Sequence, residues 1–343
     1  MNHVGIKKNI ICIVETEMNK KYHINIVIDC NFNKTFATKR YSILQQVLIL
    51  VRSIKKNWKF SYTINLVYNS VIDNDTYDKL KLLDIELYNV PVVFKTSKFE
   101  LSRSLAYTLD LNVQGTHRLV LDCDMVAVND ISSVIDDLIE YDISAMYEYG
   151  TNTSNTQEEY DACVEYICDT MHYDKPRKQF CVSERCYATD YHLTNIELDC
   201  PLFNPISLIK EDITKKFGSC YEKLWIELFE EKNHINSVHL LQLGMSIAMQ
   251  HVSQNMGVFI GGMNMLPNLL VYDKFKNFEN VYLLHCCNAS YNYIKYLCDA
   301  YLTEVEFLGY EFYYEKTIPL HPQMKQELNI FKHHYENLNI KVK

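Results

Sequence analysis

The segment "HRLVLDCDMVAVND", His117–Asp130, decides how the rest of the chain is read. Leu119, Val120 and Leu121 form an apolar run of strand type. Asp122 and Asp124 follow with only Cys123 between them, and Met125–Val128 turns apolar again. Strand alternation predicts that the two Asp side chains point the same way, with Cys123 opposite. Two carboxylates on one side repel, and burying them unpaired is costly. A divalent cation resolves the conflict, and hard oxygen ligands suit magnesium or manganese. The bland alternative is that one Asp caps the helix expected in "NDISSVIDDL" while the other lies in solvent.

Upstream, the hydrophobic period switches back and forth. "HINIVIDCN" (residues 23–31) is a short β-branched run ending in polar residues, as a buried strand does. Residues 36–57 carry apolar side chains at helical spacing and finish on basic residues. "YTINLVYNS" is a second strand, "DNDTYDKLKLLD" a helix with good N-capping residues, and "IELYNVPVV" a third strand halted at Pro91. "KFELSRSLAYTLDL" is a further helix before the Asp122 strand. This order predicts an α/β fold of Rossmann-like type, a mostly parallel sheet flanked by helices on both faces. Ligands of such sheets bind beyond the carboxyl ends of the strands, where Asp122 and Asp124 sit.

After the strand expected in "YDISAMYEYG" the pattern loosens. A helix is expected over residues 157–170, then a loop with the basic cluster Lys175, Arg177 and Lys178. "HLTNIELDCPLFNPISLI" returns to strand character, residues 220–231 and 237–252 are helical, and "ENVYLLHCCNAS" is a late strand carrying His285. The expected division is a main unit over 1–300, with a nucleotide-binding half at about 23–150 and an irregular acceptor-side half at about 151–300. Residues 301–343 form a C-terminal extension.

"RLVLDCDMVAVNDISSVIDDL" resembles the Asp-X-Asp segment of GT-A fold glycosyltransferases, particularly the family 8 group of glycogenin and galactosyltransferase-like enzymes. The resemblance implies a GT-A type fold and a divalent metal, Mn2+ or Mg2+, held by Asp122, Asp124 and His285. It places Asp29, Cys30 and Asn31 beside the nucleoside, and Arg103, Asp122 and Cys123 against the donor. An Arg on a solvated helix face and an Asp29 that caps the following helix are the open alternatives. Nearer the reacting sugar it places Asp199 and Asn204 of "NIELDCPLFNPISL", with Pro201 and Pro205 departing from the family's usual small residues. Gln242 stands where the family carries an Asp-Gln pair, but the Asp is missing and an exposed Gln is the alternative. "HCCNASYNYIK" after His285 also lacks the family's Gly and Lys-Pro.

The implied activity is a metal-dependent transfer of a sugar from a nucleotide-diphosphate donor, a UDP-sugar, to a hydroxyl of a glycan, protein or small-molecule acceptor. Family 8 similarity implies retention of configuration, and an inverting relative would need an acidic base, with Asp199 first in line. The rivals are a catalytically silent, glycan- or partner-binding domain of the same fold, and a nucleotidyltransferase or phosphohydrolase. The second rival would need further carboxylates or a Gly-rich phosphate loop, and "CNFNKTFATKR" has no such glycines.

Composition narrows the classes further. Hydrophobic residues make up 48% of 343, ample for a large core, and the formal charge of -9 disfavours broad attraction to nucleic acid or anionic lipid. No export signal is read at the N-terminus, because Glu15 and Glu17 interrupt its apolar patch, and no run is long enough for a transmembrane segment. The 12 cysteines lack paired zinc spacing and read as reduced thiols of a cytoplasmic chain.

Overall fold

Strand β1 (Ile24–Cys30) is buried along its whole length except at Asp29, which is half-buried. That pattern requires a strand covered on both faces. In the computed structural model, which describes residues 22–32, 43–92, 94–95, 100–101, 103–147, 154–174, 179–182, 195–197, 203–232, 237–259 and 282–285, it is so covered. Ile24, Ile26, Ile28 and Cys30 enter one apolar core with Val47, Leu50 and Ile54 of helix α1 (Ile43–Asn57). Val27 enters a second core on the opposite face. α1 starts at Ile43, and the earlier residues of the helix expected from 36 lie outside the described residues.

β1 pairs in parallel with β2 (Tyr62–Tyr68), and β2 with β3 (Glu86–Asn89), after helix α2 (Asn74–Lys81). Asp73 caps α2, its carboxylate accepting from the Thr76 backbone N–H at 2.7 Å. Phe94–Lys95 (β4) and Glu100–Leu101 (β5) form a separate antiparallel pair. This pairing takes Glu100 and Leu101 out of the helix expected over 98–111, so helix α3 runs only from Arg103 to Thr108. On the other side of β1 lies β6 (His117–Asp122), parallel to it.

The expected single strand through Asp122 and Asp124 breaks. β6 ends at Asp122, Cys123 and Asp124 form a turn, and β7 (Met125–Ala127) leaves the main sheet. Asp is at home in turns because its side chain bonds nearby backbone, and here the turn replaces two more residues of ladder. Helix α4 (Ser132–Leu138) follows. Asp130, not Asp122 or Asp124, accepts from the Ser132 backbone N–H, so the capping alternative does not apply to the Asp-X-Asp pair.

The second half extends the same sheet. β8 (Ile143–Tyr147) precedes helix α5 (Ser154–Met171), β9 (Gln179–Val182), β10 (Asn195–Glu197) and β11 (Phe203–Lys210). A 3-10 turn, Glu211–Ile213, then leads into α6 (Thr214–Glu231), α7 (Ser237–Val252) and β12 (Met256–Phe259). The order across the nine strands is β10-β9-β12-β8-β11-β6-β1-β2-β3. Only β11 and β10 run against the other seven. β13 (Leu283–His285) pairs antiparallel with β7 as a two-stranded ribbon. Core residues of α1, α2 and α4 lie on one face, and those of α3, α5, α6 and α7 on the other. Among the described residues no helix is long and apolar enough to cross a membrane.

The short helix α3 is held by two devices. Gly218 of α6 lets it approach, since a Cβ there would lie 2.7 Å from Thr108 Cγ2 and 2.8 Å from Tyr107 Cβ. Arg118, only 2% exposed, caps its carboxyl end. Its Nη1 donates to the carbonyls of Ala106 and Tyr107, both at 2.9 Å, and Nη2 to that of Leu109 at 3.1 Å. Glu211 balances the charge. Replacing Arg118 by Met strips those carbonyls of their donor and leaves Glu211 unpaired, so stability should fall by about 2–4 kcal/mol. A urea melt reads this as a lowered midpoint, and an unchanged midpoint would refute the capping role.

His117, at the start of β6, is buried, and burial holds its pKa below the ordinary value against an opposing hydrogen bond to the Ile139 carbonyl. The unfolded chain therefore takes up a proton before the native one does. Stability from this group is present above the unfolded value, about 6.5, and is lost as pH falls below it. His117→Gln should flatten the acid limb of a stability–pH profile from about pH 6.5 downward. An unaltered limb would refute the assignment.

Candidate functional site

Asp29 and Asp122 are register partners on adjacent parallel strands, one residue from the end of β1 and at the end of β6. They share the face of Val27 and Val120, which pack in the α3-side core. At strand spacing their carboxylates repel, and Arg103, the first residue of α3, lies between them. Its Nε donates to Asp29 Oδ2 at 3.0 Å and its Nη2 to Asp122 Oδ1. The side chains of Arg103, Asp29 and Asp122 are 17%, 12% and 19% exposed, so neither the solvated-Arg nor the capping-Asp29 alternative describes them. Burial works against the charge of Arg103, but Asp122 and Asp29 outweigh it, and its pKa lies well above the ordinary value. Its Nη1 is buried and meets no partner among the described residues.

Behind Arg103 stand Tyr107 and Tyr221, which a reading of the sequence misses. The only signal was Tyr107 four residues after Arg103 on one helix. Tyr107 meets the Phe217 ring edge-on at 4.8 Å, and its hydroxyl is 3.3 Å from Ser207 Oγ. Burial pushes the Tyr107 hydroxyl up to about 12, with Arg103 opposing the shift, and burial raises Tyr221 as well. Both stay neutral, so the charge of Arg103 is balanced by carboxylates.

The other side of Asp122 faces the metal-type cluster. β13 runs beside β7 with His285 opposite Met125, which brings the imidazole next to Asp124. His285 Nε2 lies 3.2 Å from Asp124 Oδ1 and 3.9 Å from Asp122 Oδ2. One ligand atom of each residue falls within 4.8 Å of the others. Donors about 2.1 Å from an octahedral ion stand about 3.0 Å apart when cis and about 4.2 Å when trans, so these separations suit one ion. Two carboxylates and one imidazole form a donor set for Mn2+ or Mg2+, the imidazole leaning towards Mn2+. With Oδ1 of Asp122 on Arg103, its Oδ2 is the oxygen that would serve an ion.

The remaining candidates divide. Asn31, buried, continues from β1, and the next residue Phe32 donates its N–H to Ser70 Oγ at 3.0 Å, at the carboxyl ends of β1 and β2. Cys30 follows strand alternation to the opposite face from Asp29 and packs in the α1-side core. Burial pushes its thiol well above the usual range, with the charges of Cys123 and Asp29 adding to it. Cys123 packs on the same core, its Sγ 3.4 Å from Gln46 Oε1. Asn204 is the second residue of β11, opposite Met146 near the end of β8, and the register shifts directly after it, between Asn204 and Ser207. Gln242 is not exposed, as one alternative had it. It is 4% exposed on α7, and its Oε1 meets no partner among the described residues. Asp199, the 175–178 basic cluster and the segment after His285 lie outside the described residues.

No protein-family model and no curated protein sequence matches the chain. Among solved structures it is similar to the galactosyltransferase LgtC in complex with donor and acceptor sugar analogues, at 10% identity and a TM-score of 0.49, over 81% of this chain and 96% of that one. It is similar to the bifunctional glycosyltransferase WbbM in its apo form at 11% identity and 0.46, over 78% and 46%. It is similar to apo mouse xyloside xylosyltransferase 1 at 12% identity and 0.40, over 77% and 97%.

Three carboxylates (Asp29, Asp122, Asp124) against one guanidinium leave a formal excess of two negative charges around the cluster. Arg103→Met raises that excess to three and frees Asp122 Oδ1. Mn2+ affinity of the free protein should then rise roughly fivefold, about 1 kcal/mol of Coulomb energy at water-like screening. Asp124→Ala should lower it at least about tenfold. Titration calorimetry with Mn2+ separates the two, and equal affinities in all three proteins would sink the metal-site assignment.

Proposed function

We propose that the chain is a metal-dependent glycosyltransferase of GT-A type that moves a sugar from a nucleotide-diphosphate donor, a UDP-sugar, to an acceptor hydroxyl. The observation that carries this is the convergence of Asp122, Asp124 and His285 at the carboxyl edge of the parallel strands, beside the Asp29–Arg103–Asp122 bridge. When bound there, Mn2+ or Mg2+ supplies Lewis-acid stabilisation of the departing diphosphate.

The chain's own residues do the rest. Asp122 Oδ2, Asp124 and His285 would hold the metal, and Arg103 fixes the rotamer of Asp122 through its other oxygen. Arg103 Nη1 keeps hydrogen-bonding capacity for a phosphate or sugar oxygen. Asp29 and Asn31, at the end of β1, stand where ribose and base would rest. Asn204 and Gln242 are candidates for contacts with the reacting sugar, and Asp199 belongs to the same proposal. In the retaining reaction expected here, the leaving phosphate oxygen takes the acceptor proton and no separate base is required. An inverting reaction would use Asp199 as that base. The acceptor is a glycan, protein or small molecule, and the setting is the cytoplasm.

A second reading has one observation behind it. The residues after His285, "CCNASYNYIK", lack the Gly and Lys-Pro of the enzymes the chain resembles, as a silent, glycan- or partner-binding domain would. Thermal-shift measurements against nucleoside diphosphates and their sugar conjugates, with and without Mn2+, decide between the two. A ligand at a hundredfold over its Kd adds about 2.7 kcal/mol of stability. The enzyme reading expects a Mn2+-dependent shift with one nucleotide, lost in Asp124→Ala, together with turnover of its sugar conjugate. No shift with any nucleotide overturns the donor site, and a shift without turnover favours the silent domain.

A further inference from the structure

Beneath the carboxylates lie two thiols. Asp29 and Asp122 are the last register pair of β1 and β6, and Cys30 and Cys123 are the residues that directly follow them, Cys123 already in the turn. Alternation along β1 turns Cys30 away from Asp29, and both thiols pack on the α1-side core, Cys30 within it and Cys123 at its border. Neither is in a disulfide. The pair just before them, Asp29 and Asp122, stands at the interstrand spacing of about 4.7–4.9 Å, and a disulfide spans Cα separations of about 4.4–6.8 Å. Cys123 is partly exposed and Cys30 is 5% exposed, so an oxidant reaches one thiol first. Cys123 is also the link between Asp122 and Asp124, in the turn that aims both carboxylates.

We propose that Cys30 and Cys123 form a reversible disulfide that dismantles the metal cluster. The consequence for the metal rests on the Asp122–Asp124–His285 reading; the thiol pairing itself does not. The oxidant is a hydroperoxide. The Cys123 sulfur attacks its terminal oxygen, the O–O bond breaks, and the sulfenic acid and one water (or alcohol) result. The Cys30 sulfur then attacks the sulfenic sulfur. The S–O bond breaks, and hydroxide leaves with the Cys30 proton as water. Two thiols lose two electrons and two protons, and the peroxide is reduced. The new bond draws Cys123 from Gln46 towards β1, and the turn carries Asp122 and Asp124 out of their common arrangement with His285. A thiol reductant restores it.

The test treats the full-length protein with hydrogen peroxide. Peptide mass mapping and Mn2+ calorimetry are run before treatment, after it, and after dithiothreitol. The expected result is a Cys30–Cys123 cross-linked peptide pair two hydrogens lighter, with Mn2+ affinity falling at least about tenfold and returning on reduction. Cys30→Ala and Cys123→Ala, each compared with its own reduced form, should give neither the cross-link nor the reversible loss. Oxygen addition at Cys123 without a cross-link overturns the pairing. A cross-link with unchanged Mn2+ affinity overturns the switch. Reduced protein that binds no Mn2+ overturns the metal cluster and the switch together, while the mass map still decides the thiol pair.

Discussion

Two carboxylates held in register on neighbouring parallel strands are a constraint the rest of the molecule has to satisfy. Asp29 and Asp122 are fixed by backbone ladders, so they cannot move apart to relieve their repulsion. Arg103 relieves it by bonding both, and that demands a helix whose first residue arrives above the strand ends at a set height. α3 meets the demand in six residues, too few for a stable helix alone. Its stability is therefore tertiary: Arg118 binds its last carbonyls, Gly218 opens the space for α6, and Tyr107 wedges against Phe217 and Tyr221. Ser104 adds a hydrogen bond to Glu222 of α6 at 2.6 Å. A charge requirement at the site thus reaches back into core packing through one short helix.

Much of this frame was legible in the sequence. The β-branched runs of β1 and β2, and the helical spacing of α1, mark buried elements because each must cover an apolar face. The Asp-X-Asp at a strand end was readable from the residues, and its grouping with His285 came from the resemblance to GT-A glycosyltransferases. Other features leave no local mark. The direction of β11 does not show, since Leu208 and Ile209 look the same in a parallel or antiparallel strand. The break at Cys123 does not show either, because the two-residue period of apolar side chains continues through it.

Partnership was the least legible property of all. An Arg on a helix has the same sequence signature whether solvated or buried, and its partners here lie 74 and 19 residues away. Gln242 makes the same point from the other direction. Without the acidic neighbour that the enzymes it resembles carry, it reads as a surface residue, yet α7 is buried along residues 242–249 and takes it inside. The short polar ends of strands carry the chemistry, and the tertiary contacts that define their roles come from distant segments.

The ribbon of β7 and β13 has a consequence for the order in which the molecule matures. β13 has only three residues, and its partners on β7 precede it by about 160 positions, so closing that loop costs entropy that three ladder pairs repay poorly. A cation shared by Asp122, Asp124 and His285 would act as a clasp on that closure, adding its coordination energy to the ribbon. In chain order every strand up to β12 precedes His285, the last of the three ligands that clasp would need. Loading of the ion would then mark the moment at which the late segment has found its place.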